Sequence, residues 1–145
     1  MKNFFHYGMM WLVFATLLTG AVIGLELVEG NKITSTQYYG LRNMGGIFIL
    51  LIFLVSMVLY PFTFLPLTLL VHRWIRPFSI RLLIYGGTGG ASSIWVFTRL
   101  YNDPPGSHFI DAHDLNIASA VILLLLVGLL YGLFDYYIGK RKVGV

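Results

Sequence analysis

The chain has 145 residues, of which 57% are hydrophobic and 11% charged, with a formal net charge of +4 and no cysteine. A typical soluble domain carries about 25% charged residues, and a soluble fold this apolar would expose large patches that monomers avoid. A soluble globular domain, a disordered tail and a nucleic-acid binder are therefore excluded, and the missing cysteines remove disulfides, thiolate metal sites and a cysteine nucleophile.

Crossing a bilayer takes about 20 consecutive, predominantly apolar residues, and four stretches are long enough. The first covers residues 4–27. Lys2 and the small residues Thr19-Gly20-Ala21 resemble a signal peptide, but the apolar run continues through Leu27 and reads as an uncleaved anchor. It carries Gly20-x-x-x-Gly24. Such spacing lets helix backbones approach closely where lipid supplies no hydrophobic drive between them. Glu26 and Glu29 lie one turn apart at its far end, where pairing with Lys32 or Arg42 is expected.

The second stretch, residues 44–71, is about 42 Å long at 1.5 Å per residue, too long for an upright helix. Pro61 and Pro66 decide for a bend, because each lacks an N–H and leaves a carbonyl four residues back, at Met57 and Phe62, without its helical partner. Thr63 and Thr68 are expected to help satisfy the freed carbonyls. A loop follows over residues 72–81, where Arg73, Arg76 and Arg81 mix with Trp74 and Phe78. Cations beside a membrane favour anionic lipid.

The third stretch, residues 82–101, contains Gly86-x-x-x-Gly90 inside the run Tyr85-Gly86-Gly87-Thr88-Gly89-Gly90. The run lacks the Lys-Ser/Thr of a phosphate loop and follows no strand, so it reads as packing surface. The next loop holds His108, Asp111, His113 and Asp114, which are nitrogen and oxygen donors of a kind that could ligate zinc. Turn chemistry at Asp103-Pro104-Pro105-Gly106 and helix capping by Asp111 already account for it, so no metal site is expected there. The fourth stretch, residues 115–138, carries Gly128-x-x-x-Gly132. Asp135 is expected to make a weak interface pair with Lys140 or an inner arginine.

Counting cations sets the orientation. Lys2, Arg73, Arg76, Arg81, Lys140, Arg141 and Lys142 fall on one side, against Lys32, Arg42 and Arg99 on the other. The positive-inside rule then puts both termini in the cytoplasm. Tyr7 and Trp11 at the start of the first span, and Tyr136-Tyr137 at the end of the last, suit the headgroup level.

The expected fold is an all-α integral membrane protein: one domain over residues 1–145, a four-helix antiparallel bundle with N-in/C-in topology. A multi-pass protein of the plasma membrane, of bacterial type, is the matching location. No Asp, Glu, Lys, Arg or His falls in the middle of any span, where a proton-coupled carrier would place one. His6 and His72 read as helix-end residues, so no haem or other cofactor is expected. Serines inside the spans have no base at their depth, so an enzyme is not expected. What is left is a protein acting through helix and lipid contacts: an accessory, regulatory or immunity-like component, with anionic lipid at the inner face and a membrane protein or a second copy as partner. A small-solute transporter or channel is the alternative, on the strength of the bent second helix and the glycine-dense third.

Overall fold

Residues 2–28, 45–75, 77–97 and 116–140 are described by the computed structural model of the chain. Every element among them is helical: α1 (Lys2–Val28), α2 (Gly45–Phe62), α3 (Phe64–Trp74), α4 (Phe78–Phe97) and α5 (Ile117–Lys140). Among the described residues three helices are long and apolar enough to cross a membrane: Phe5–Leu25, Ile49–Trp74 (α2 and α3 taken together) and Ile117–Lys140. Helix α4, diluted by Gly86, Gly87, Gly89, Gly90, Thr88, Ser92 and Ser93, does not reach that threshold.

α2 and α3 are one rod broken at Thr63, between the two prolines. Thr63 is distorted within the right-handed helical region, at φ −115°, ψ −77°. Its N–H still reaches back to the carbonyls of Leu59 at 3.1 Å and Tyr60 at 3.3 Å. The threonines do not serve the freed carbonyls as the sequence suggests. Thr63 donates to Leu59 O at 2.8 Å and Thr68 to Phe64 O at 2.6 Å, each its own fourth-preceding residue. Instead, Trp11 of α1 donates its indole N–H to Met57 O at 2.7 Å, supplying from another helix the donor that Pro61 lacks. The aromatic read as a headgroup-level ring is thus a clamp on the bend.

One helix start also differs from expectation. α4 begins at Phe78, a turn earlier than the hydrophobic run suggests, so Arg81 is a helix residue. Its Nε donates to Ile75 O at 2.7 Å, beyond the last turn of α3. Asn116 caps α5: its side-chain oxygen accepts the Ala118 N–H at 2.9 Å, the usual service of an N-cap amide, while Asp111 lies outside the described residues.

α4 runs along α5, α5 packs against α1, and α1 against α2. A cluster of Met10, Phe14, Tyr60, Phe64, Val71, Tyr85 and Tyr131 fills the centre. Most of its rings meet edge to face or tilted, with Phe14–Phe64 at 4.7 Å, Phe64–Tyr131 at 4.9 Å and Tyr85–Tyr131 at 5.2 Å between centroids, an arrangement that aromatic quadrupoles favour, while Phe64 and Tyr85 lie nearly parallel at 6.4 Å. The outside is apolar: Leu50, Val58, Leu70, Leu83, Trp95 and Ile122 are among many large hydrophobic side chains left exposed.

Candidate functional site

The site begins with the way glycines bring α4 and α5 together. A Cβ on Gly128 would run into the backbone carbonyl of Tyr85 and come within 3.0 Å of Gly86 Cα. One on Gly89 would run into the carbonyl of Leu124, and one on Gly132 would lie 3.0 Å from the Tyr85 ring. A Cβ on Gly86 would lie 2.8 Å from the Leu129 side chain, and one on Gly90 would lie 3.8 Å from that of Leu125. Backbone meets backbone here, as small residues permit. The first helix behaves differently. A Cβ on Gly24 would make only an ordinary 3.7 Å contact with Leu123, and one on Gly20 would meet nothing within 4 Å among the described residues. Gly20 is therefore no packing residue among the described ones, whereas Gly89 belongs to the seam.

That seam fixes which face of α5 turns inward. Gly128, Tyr131, Gly132 and Asp135 are spaced three and four apart and lie on one face, so the interface that buries the glycines also buries Asp135. Its exposure is 2%. The expected pairing with Lys140 or an arginine is not made among the described residues: Lys140 Nζ lies 5.9 Å over the Tyr136 ring. The partners of Asp135 are His6 of α1, His72 of α3 and Tyr85 of α4. His6 Nε2 lies 3.0 Å from Oδ1, and His72 Nε2 lies 3.0 Å from Oδ1 and 2.8 Å from Oδ2. Tyr85 donates its hydroxyl to Oδ2 at 3.3 Å. The two imidazole centroids are 5.8 Å apart.

Helix register explains how the histidines arrive. His6 is four residues before Met10 and eight before Phe14, both buried on the inner stripe of α1. His72 is four after Thr68, which is fully buried on α3. Reading them as loop or helix-end residues misses that α1 reaches back to Lys2 and α3 runs on to Trp74. His6 is buried and its Nδ1 has no partner among the described residues, while the His72 side chain keeps 31% of its surface exposed.

Behind the carboxylate runs a second polar chain. Thr68 has one hydroxyl proton, and it goes to Phe64 O. Tyr131 must therefore donate to Thr68 Oγ1, at 2.8 Å, which leaves the Tyr131 oxygen to accept from Tyr60 at 3.3 Å. Tyr60, Tyr131 and Thr68 thus form a directed chain that ends on a helix carbonyl.

His108, Asp111, His113 and Asp114 lie outside the described residues, as do Glu29, Lys32, Arg42 and the Glu26 side chain. No family model matches the chain, and neither a curated protein nor a solved structure shows significant similarity to it.

Proposed function

We propose that the chain is a multi-pass integral membrane protein of four antiparallel spans, both termini cytoplasmic, in a bacterial-type plasma membrane. It acts without catalysis, as an accessory, regulatory or immunity-like component working through helix and lipid contacts. The observation that carries this reading is a solid aromatic centre beneath an apolar outside. Phe14, Phe64, Tyr85 and Tyr131 fill the space a solute would need. α4 serves as the fourth span because its glycine face lies against α5, leaving Leu83 and Trp95 for lipid. Among the described residues the hydroxyls of Thr16, Thr19, Ser56, Thr63, Thr88 and Ser92 bond their own helix carbonyls, which supports a non-enzyme because none is set against a base. Arg73 and Lys140 at the inner end suit anionic headgroups, and a membrane protein or a second copy is the partner.

A small-solute transporter or channel, built from one chain or an oligomer, is the second reading. Asp135 favours it, since ionisable groups within a membrane bundle commonly mark ion or proton pathways. Two measurements test the proposal. An impermeant maleimide on intact cells labels Ser107→Cys and leaves Ser79→Cys unlabelled; the reverse pattern overturns the orientation. Liposomes carrying the purified protein leak ions and small solutes no faster than empty ones; clear flux replaces the first reading by the second.

A further inference from the structure

One buried carboxylate needs one cation to balance it, yet two imidazoles face Asp135, and both Nε2 atoms lie 3.0 Å from the same oxygen, Oδ1. Among the described residues no lysine or arginine pairs with it. A plain ion pair explains one histidine and leaves the second without a purpose. We propose that His6, His72 and Asp135 bind a divalent first-row transition-metal ion, with zinc as the defining probe. This goes beyond the functional reading above and holds under either version of it.

Three donors from α1, α3 and α5 lie within 4.8 Å of one another. Zinc takes imidazole nitrogen at about 2.0–2.1 Å and carboxylate oxygen at about 2.0–2.2 Å, so donors around a tetrahedral ion stand about 3.3 Å apart. Opening the present 2.8–3.0 Å histidine–carboxylate contacts by a few tenths of an ångström, and drawing together the two Nε2 atoms, which stand within 4.8 Å of each other, admits the ion. Two imidazoles with a carboxylate select a transition ion, whereas magnesium and calcium prefer oxygen throughout. Ligation needs the Nε2 lone pairs, so a neutral imidazole that donates from Nε2 in the free protein moves that proton to its own Nδ1, and a doubly protonated one releases its Nε2 proton to solvent. Tyr85 holds Oδ2 from outside the ligand set, the support that orients metal-bound carboxylates. The exposed edge of His72 gives the ion its way in and leaves a fourth position to water.

The test is titration of the purified, chelator-treated full chain in detergent with zinc, followed by calorimetry and thermal melting, and with cobalt, followed by its visible absorption. One zinc per chain, a raised Tm and a tetrahedral-type cobalt band are expected. Asp135→Asn, His72→Gln and the supporting-residue variant Tyr85→Phe each lower zinc affinity at least about 10-fold. The double variant His108→Ala/His113→Ala still binds. His72 is the partly exposed ligand, so His72→Gln remains folded and decides the matter even if Asp135→Asn does not fold. Absence of zinc binding by the natural sequence overturns the proposal, and so does unchanged affinity in His72→Gln. Loss of binding in the double loop variant also overturns it, by moving the ligands elsewhere.

Discussion

At Gly128 and Gly132 the inner face of α5 offers bare backbone to α4; at Asp135, less than a turn further on, the same face offers a carboxylate to three other helices. The seam is held by proximity alone, and any added atom meets a carbonyl or a ring. The polar end is held by matched donors and acceptors, and removing an atom strands its partners. One region is thus sensitive to gain and the other to loss. Steric fit in the first sets the helix rotation, and that rotation delivers the charged group of the second.

Adding atoms to the seam should produce the largest effect. Gly128→Ile forces a branched side chain into the Tyr85 carbonyl, with an expected loss above about 3 kcal/mol, beyond ordinary overpacking because backbone must move. Melting in detergent checks it. Gly24→Ile should be milder, and Gly20→Ile should stay within about 0.5 kcal/mol, as an open surface position does. A Gly20→Ile variant as damaged as Gly128→Ile would erase the distinction between the helices.

Removing atoms at the polar end comes next. Asp135→Ala leaves two imidazoles and the Tyr85 hydroxyl without their acceptor, and breaking a buried pair costs about 3–5 kcal/mol. Chemical denaturation in mixed micelles should find a loss in that range; a change under 1 kcal/mol would mean that water solvates the carboxylate. Tyr131→Phe deletes one hydroxyl and strands Tyr60 as a donor, for an expected loss of about 1–2 kcal/mol.

The smallest effect is the most selective. Trp11→Phe removes the donor to Met57 O and should cost about 1 kcal/mol. Pro61→Ala restores an N–H to the same carbonyl, so Trp11→Phe should cost at least about 0.5 kcal/mol less in that background. Equal losses in both backgrounds would show that the indole contributes only packing.

Much of the helical framework was legible in the residues. The long apolar runs located the helices, Pro61 and Pro66 bracketed the break, and the glycine spacing marked the α4–α5 approach. At Gly20 the same spacing meets no neighbour among the described residues, because a small-residue stripe records what could pack and not which helix lies against it. The polar site was missed for a different reason. Asp135, His6 and His72 were each judged by depth along a helix, whereas their rotation about it decides their surroundings. Asp135 stands three residues after Gly132 and four after Tyr131, so an interface along Gly128 and Gly132 already implied its burial. The convergence of His6 and His72 on that carboxylate could not be read locally, since it joins residues 129 and 63 positions apart.

The central claim is that Asp135 is the shared acceptor of a buried cluster that ties α5 to α1 and α3, and the cycle of His72→Ala, Asp135→Ala and the double variant tests it most directly. With the three stabilities measured against the natural sequence, the account predicts a coupling of at least about 1 kcal/mol: losing the carboxylate should matter less once His72 is gone. Additivity within about 0.3–0.5 kcal/mol, the behaviour of residues that do not touch, would contradict it.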